Sequence, residues 1–209
     1  MQFSGPPEMT TRYRVRSDKR RLSRGGYGAT QSLSGRGYPR VARGPQSASL
    51  MGMPKINPFL WFDGNAEQAA MFYVSVFPKS KIVHVARYGD AGPGPKGSVM
   101  LVDFQIAGHH FQALNGGPTY KISPAISFMV QCADQKEVDY YWTKLSAGGK
   151  KVECGWLEDK FGVSWQIVPS AMFKMMKDKN REKVARAFAA MMTMKKLDLA
   201  KLQKAFDGR

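Results

Sequence analysis

Hydrophobic and polar positions between residues 54 and 169 follow the periods of strands and of an amphipathic helix. The short run 56–62 predicts a strand, and Asn65 stands where a helix cap is expected. Pro78 is expected to stop that helix, because proline cannot continue a helical hydrogen-bond ladder. The apolar residues that recur at helical spacing between them are Ala69, Phe72, Tyr73 and Val76.

Three more strands are predicted after this helix, at 81–88, 98–106 and 109–114. A loop rich in Gly and Pro, residues 90–95, separates the first two of them. The predicted order is therefore β-α-β-β-β.

The same order recurs in the second half of this region. Strands are predicted at 125–132, 151–156 and 163–168, with a helix over 135–145 and a short or missing strand before Phe161. Gly108-His109-His110-Phe111-Gln112 is echoed by Gly162-Val163-Ser164-Trp165-Gln166. Echoes in register indicate an internal duplication, so the predicted fold class is α+β with two tandem β-α-β-β-β modules in residues 53–169.

The flanking segments have a different character. Residues 1–52 are rich in Gly, Ser and Arg without apolar periodicity, which predicts a disordered basic tail. A targeting segment, a polyanion-binding arm and a natural start at Met53 remain alternatives for it. Residues 170–209 predict a helical extension with one apolar stripe of Val184, Phe188, Met191 and Met192 and another of Leu199, Leu202 and Phe206.

The excess of positive charge lies in the two flanking segments. The chain of 209 residues has a formal charge of +16. Residues 1–52 hold 10 Lys and Arg against 2 Asp and Glu, residues 53–169 hold 11 against 10, and residues 170–209 hold 11 against 4. Since the middle is nearly neutral, a nucleic-acid-reading domain is not predicted, and any polyanion binding is expected to be weak and through the tails.

Composition also predicts whether the protein associates with a membrane and where in the cell it is located. No apolar run approaches the ~20 residues that span a bilayer, so no membrane partner is expected. Cys132 and Cys154 are interpreted as reduced thiols, which favours a cytoplasmic location.

Several motifs in order then resemble a known family. They are Asp63-Gly64-Asn65-Ala66-Glu67, Phe77-Pro78, residues 92–98, Asn115-Gly116-Gly117-Pro118, residues 124–128, Cys154-Gly155-Trp156-Leu157 and residues 165–169. Together they resemble the PhnB-like branch of the vicinal oxygen chelate (glyoxalase/bleomycin-resistance) superfamily, whose domain carries the label demethylubiquinone methyltransferase. The resemblance covers residues 54–169 and does not reach residues 1–52.

The resemblance implies that the two modules form a cup with the helices outside and a small-molecule pocket within. In metal-using relatives, ligands come from the first and last strands of each module. Those positions fall on Gln112 and Gln166 and near Pro58 and Pro124 or Ala125. Because proline and alanine cannot ligate and an amide oxygen is a poor ligand for a transition metal, neither a metal nor another cofactor is expected.

Strand alternation supports a role for the two glutamines independently. His110, Gln112 and Leu114 are predicted to point to one face, with Ser164, Gln166 and Val168 doing the same in the second module. Polar groups on such a face need partners, which a ligand or another protein group supplies. The alternative is that the glutamines bond to each other or to backbone across the pseudo-twofold axis.

The predicted ligand-binding residues are Phe62, His110, Gln112, Trp156 and Gln166. No catalytic residue is assigned, and enzyme activity is left open. Methyl transfer is not predicted, because the only glycine turn between a strand and a helix is Asp63-Gly64-Asn65. The alternative function is a metal-dependent lyase, isomerase or dioxygenase whose site is rebuilt from His110, Asp103 or another residue.

A homodimer is also predicted. The sheets of both modules have edges that need cover, and the stripe around Phe188 has no partner within the duplicated region. A tail folded back over its own sheet is the alternative.

Overall fold

The computed structural model describes residues 55–209, so the predictions for residues 1–52 lie outside the described residues. The first module contains β1 (Phe59–Phe62), α1 (Ala66–Val76), β2 (Lys81–Arg87), β3 (Val99–Ile106) and β4 (His109–Asn115). The second contains β5 (Ser127–Cys132), α2 (Gln135–Leu145), β6 (Lys150–Lys151), β7 (Trp156–Glu158) and β8 (Ser164–Pro169). The extension contains α3 (Ser170–Met176), α4 (Arg181–Met192) and α5 (Leu199–Asp207).

Each module builds one four-stranded sheet. The first, sheet A, has the order β1-β4-β3-β2, and the second, sheet B, has the order β5-β8-β7-β6. In both sheets the first and last strands of the module pair in parallel, while the other pairs are antiparallel. The predicted α+β duplication is therefore confirmed.

The predicted strand 151–156 is wrong. Only Lys150–Lys151 and Trp156–Glu158 are strands there, and the chain between them turns. Cys154 and Gly155 have φ values of 59° and 82°. Two successive residues in the left-handed region cannot continue a pleated strand, so the hairpin of sheet B is much shorter than that of sheet A.

The two module helices begin differently. Asp134 caps α2 as its sequence position indicates, accepting a hydrogen bond from the Glu137 amide at 2.9 Å. Asn65 precedes α1 but makes no side-chain cap bond. The Ala66 amide instead donates to Asn115 Oδ1 at 2.9 Å, so the end of β4 caps the first helix.

Both modules share one hydrophobic core, in which Tyr73 of α1 is central. Its ring packs on Phe104 of sheet A and on Trp165 of sheet B. Its hydroxyl donates to Asp159 Oδ2 at 2.9 Å, a carboxylate of the second module that is only 2% exposed. The modules are thus joined by aromatic packing and by a buried hydrogen bond.

The extension forms a second, smaller core against β8. Val168, Met172, Met175, Ala187, Leu197 and Leu202 are buried in it. Of the predicted stripe on α4, Met191 packs against this cluster, while Phe188 and Met192 remain about half exposed. Part of the stripe therefore has an intrachain partner.

Within residues 55–209, no helix is both long enough and apolar enough to cross a bilayer. Cys132 and Cys154 are both free thiols. Burial raises the pKa of the Cys132 thiol to about 12, with the nearby Glu137 carboxylate adding to the shift.

Candidate ligand-binding site

Sheet A turns a polar surface away from the shared core. Phe111 and Ala113 of β4 are buried, so the alternating His110, Gln112 and Leu114 lie on the opposite, outer face. Strand register places Gln112 beside Phe59 on one side and Asp103 on the other. His84 is the next residue in this row, opposite Asp103.

Sheet B has the equivalent surface. Gln166 lies beside Met129 of β5 and Trp156 of β7. Trp165 and Ile167 point into the core as predicted. Two of the predicted ligand-binding residues, Trp156 and Gln166, are therefore neighbours on one outer face.

The two glutamines bond to side chains of their own sheets. Gln112 Nε2 donates to Asp103 Oδ1 at 2.7 Å. Gln166 Nε2 donates to Ser127 Oγ at 2.9 Å. Each amide nitrogen thus donates to a neighbouring side chain of its own sheet. The partners considered from the sequence, which were the other glutamine or the backbone, are not the ones that these two nitrogens have.

His110 is exposed on the same outer face as Gln112. Its Nε2 lies 2.7 Å from Gln105 Nε2 on the adjacent strand, within hydrogen-bond distance. His109 lies on the opposite side of the strand, as the alternation predicts. His110 is thus available at the surface of sheet A.

Phe62 is placed differently from the prediction. It is 3% exposed and belongs to the shared core, because Phe62 and Leu60 occupy the inner face of β1 while Phe59 and Trp61 occupy the outer face. It borders only a small cavity of about 270 Å³ near Tyr120. The outer-face aromatic of this strand is Trp61.

A larger cavity, of about 790 Å³, lies where the outer face of sheet A meets the start of α1. We call it the module 1 cavity. Its apolar lining includes Trp61, Val99 and Leu114, and Leu114 is two residues beyond Gln112 on the same face. None of the five predicted ligand-binding residues lines this cavity.

Glycines let the loops of this cavity approach aromatic rings closely. A Cβ on Gly116 would overlap the indole of Trp61, and one on Gly92 or Gly94 would overlap the ring of Tyr88. The indole Nε1 also donates to the Gly117 carbonyl at 2.8 Å. These positions of the cavity wall therefore have no room for a side chain larger than that of glycine.

The charged groups at the cavity are mixed. Asp63 and Glu67 contribute carboxylates, and Arg87 contributes a guanidinium. Arg87 bonds to Glu67 at 3.4 Å and to the Gly97 carbonyl at 3.2 Å. Both partners of the ion pair are substantially exposed, so a ligand can compete for either of them.

Sequence patterns gave only a partial signal for this cavity. Its residues come from five separate segments, and the Gly and Pro loop was interpreted as a rigid loop without a ligand role. Asn115 and the following glycines appeared in the family motif. The structure shows that the Asn115 side chain accepts a hydrogen bond from the Ala66 amide and donates one to the Val99 carbonyl at 3.0 Å. Asn115 therefore connects β4, β3 and α1 at the cavity.

Among residues 55–209, no three His, Cys, Asp or Glu side chains are placed to hold a metal ion together. Asp103, His84 and His110 do share the outer face of sheet A.

Comparison with known proteins supports the assignment suggested by the motifs. Residues 54–168 match the family model described as 3-demethylubiquinone-9 3-methyltransferase. A Bacillus cereus structure described as a putative 3-demethylubiquinone-9 3-methyltransferase, PhnB protein, is 36% identical, with a TM-score of 0.52. The match covers 56% of this chain and 99% of that one.

Two other solved structures are also similar. A Staphylococcus aureus protein is 31% identical over 57% of this chain and 99% of its own, with a TM-score of 0.26. The fosfomycin resistance protein FosX from Listeria monocytogenes is 16% identical over 61% of this chain and 98% of its own, with a TM-score of 0.41.

A search of curated proteins found no significant match. The family match nevertheless spans more than half of the chain, and the duplicated fold agrees with it. This chain therefore belongs to the family described as 3-demethylubiquinone-9 3-methyltransferase, the PhnB-like branch of the vicinal oxygen chelate superfamily.

Proposed function

We propose that this protein binds a small molecule in the module 1 cavity, beside the polar outer face of sheet A. The observation that carries the proposal is a cavity of about 790 Å³ that combines apolar and charged side chains of module 1. Small-molecule sites have volumes of roughly 300–1,000 Å³ and are usually formed in advance.

The lining favours a polar aromatic ligand. Trp61 and Leu114 offer apolar surface, while Asp63, Glu67 and Arg87 offer charges of both signs. A planar ring buries its faces against the apolar wall, and polar substituents then replace the exposed ion pair of Arg87 and Glu67. Methyl transfer is not part of the proposal, since the turn before α1 lacks the glycine-rich fingerprint of a dinucleotide-type site.

We propose a homodimer as the assembly that completes the cup. Phe59 is 54% exposed and Met129 is 45% exposed, each beside one of the two outer-face glutamines. Apolar side chains in such positions favour cover by another surface. In a twofold contact, the outer faces of one copy would be covered by the same outer faces of the second copy.

The proposed site works without the four-ligand metal centre of its relatives. Gln112 and Gln166 present amides, and each amide is already bonded to a neighbour. The competing function, a metal-dependent enzyme with a rebuilt site, would draw on Asp103 and His110, which share a face of sheet A with His84, but no three His, Cys, Asp or Glu side chains among residues 55–209 are placed to hold a metal ion together. Elemental analysis of untagged protein separates the two, because a stoichiometric transition metal contradicts our proposal.

A thermal-shift screen of the full chain tests ligand binding. Ligands that bind only the native state raise its melting temperature, and polar aromatic and phosphonate-like compounds are the classes to screen. Leu114→Trp fills the cavity and should abolish the shift. Ile126→Trp is the control, because Ile126 is exposed and lies outside the cavity. A shift that survives in Leu114→Trp would place the site elsewhere.

A further inference from the structure

Another cavity lies outside the candidate site, where the end of α1 meets the first turns of α2. Its volume is about 510 Å³, and we call it the junction cavity. Residues 75–78 line it from module 1. The lining from module 2 consists of Asp134, Lys136, Glu137, Tyr140 and Tyr141. The junction cavity therefore spans both modules and shares no residue with the module 1 cavity.

Three aromatic side chains meet at the junction cavity. The ring centroids of Tyr140 and Tyr141 are 5.1 Å apart, and the ring planes are nearly perpendicular, at 80°. Tyr141 also stacks on Phe77, with the centroids 5.0 Å apart. The Tyr140 hydroxyl donates to the Val76 carbonyl at 3.0 Å, which holds its ring beside the end of α1. Because the faces of aromatic rings carry partial negative charge, such a corner attracts a cation.

Two carboxylates add full negative charge to the same lining. Asp134 accepts a hydrogen bond from the Glu137 amide at 2.9 Å, and Glu137 accepts one from the Ala133 amide at 2.7 Å. These bonds fix both carboxylates and leave each of them further acceptor positions. Since Lys136 is the only cation among the lining residues, two carboxylates against one ammonium give a net charge of −1.

The negative field of these carboxylates acts on two neighbouring groups. Burial raises the pKa of the Cys132 thiol to about 12, and the Glu137 and Asp134 carboxylates add to the shift. Burial also raises the pKa of the Tyr141 hydroxyl, and Glu137 again adds to the shift. A field that opposes new negative charge favours positive charge at the same place.

The two helix ends at the junction cavity have opposite signs. The carboxyl end of α1 is negative and has no basic residue in its last turn. The amino end of α2 is positive, but a helix end is equivalent to roughly half an elementary charge, which is less than that of the two carboxylates beside it. The helix ends therefore leave the preference for a cation in place.

We propose that the junction cavity binds a small organic cation, with an alkylated ammonium group against the rings of Tyr140 and Tyr141 and its charge beside Glu137. Such a group suits aromatic walls, because its alkyl groups make it less strongly hydrated than a primary ammonium. The volume lies within the roughly 300–1,000 Å³ of small-molecule sites. This inference is independent of the function proposed for the module 1 cavity.

The test compares choline with neohexyl alcohol, its uncharged isostere with carbon in place of nitrogen. The full chain is titrated with each compound, and the amide chemical shifts of Glu137 and Tyr140 give the two dissociation constants. We expect choline to bind about tenfold more tightly than the alcohol. Equal affinities, or no binding of choline, would overturn the inference.

Single substitutions that change the charge of the lining test its sign. Glu137→Gln and Asp134→Asn keep an oxygen for the cap bonds and should each weaken choline binding about threefold. Lys136→Gln should strengthen it about threefold. Glu182→Gln is the matched control, because Glu182 is an exposed carboxylate of α4 outside the cavity. Weaker binding in Lys136→Gln would contradict the assigned sign.

Two substitutions of Tyr140 separate its ring from its hydroxyl. Tyr140→Leu removes the ring and should weaken choline binding about tenfold, whereas Tyr140→Phe should weaken it less than about threefold. Equal losses in both variants would overturn the role of the ring, and the charge variants still decide the inference if Tyr140→Leu does not fold. Choline binding that Leu114→Trp removes would lie in the module 1 cavity and would also overturn it. The function proposed for that cavity is decided separately, by the thermal-shift screen.

Discussion

Replacing Asp159 by alanine is expected to weaken the joint between the two modules more than any surface substitution. The carboxylate is 2% exposed and accepts four hydrogen bonds. The donors are the Tyr73 hydroxyl at 2.9 Å, the Trp165 indole at 2.8 Å, the Phe161 amide at 2.8 Å and the Val163 amide at 3.1 Å. Tyr73 belongs to module 1, whereas the other three donors belong to module 2.

The magnitude follows from the donors that the substitution leaves behind. A buried donor without an acceptor costs about 1–3 kcal/mol, so the hydroxyl and the indole together predict a loss of about 2–6 kcal/mol in the free energy of unfolding. Tyr73→Phe removes one bond to a charged group and predicts about 1.5–3 kcal/mol. Either value is large against the ~5–15 kcal/mol that stabilises a typical domain.

Urea unfolding followed by tryptophan fluorescence measures these losses, with the free energy taken from the midpoint and the slope. Asp90→Ala is the control, because Asp90 forms an exposed ion pair with Lys96 at 2.8 Å, a kind of pair worth at most about 1 kcal/mol. A loss for Asp159→Ala no greater than that of the control would refute the role assigned to the buried carboxylate.

Three other outcomes are expected. Burial raises the pKa of Asp159 against the opposing effect of its hydrogen bonds, so the folded state binds the Asp159 proton more tightly than the unfolded state does. The stability gained from this proton binding is fully present below about pH 4 and is lost as pH rises through the raised value, and Asp159→Asn should remove this decline in urea titrations across pH. Gly116→Val should cost about 1–3 kcal/mol and abolish ligand-induced thermal shifts, because its side chain overlaps the Trp61 ring. Phe59→Glu should lower the subunit number in sedimentation, whereas Met71→Glu, on the exposed side of α1, should not, and a dimer unchanged by the first would exclude the outer face of sheet A from the interface.

The elements of the modules were largely predictable because their signals are local. The helix predicted over 135–145 is the helix observed, since its cap at Asp134 and its apolar spacing involve neighbours in sequence. The alternation around Gln112 and Gln166 likewise placed both on the outer faces. Neither result requires knowledge of the rest of the chain.

Local pattern was misleading where the backbone departs from a regular element. The run 151–156 has strand-like composition, but the left-handed turn at Cys154 and Gly155 breaks it, and the two amides there donate to the Met194 and Lys195 carbonyls. Phe62 directly follows Trp61, and the side chains of a strand alternate between its two faces. The position at which β1 begins therefore decides that Phe62, and not Trp61, points into the core.

By itself, the sequence determined the duplication, the order of the elements and the faces on which the two glutamines lie, because periods of two and 3.6 residues are properties of short segments. Only the tertiary structure decided that Asp159 bonds to Tyr73, 86 residues away, and that the C-terminal extension packs over Val168 of β8. It also brought five separated segments together as the module 1 cavity. Such contacts depend on how complete helices and strands pack against each other, and the spacing of residues along the chain does not predict them.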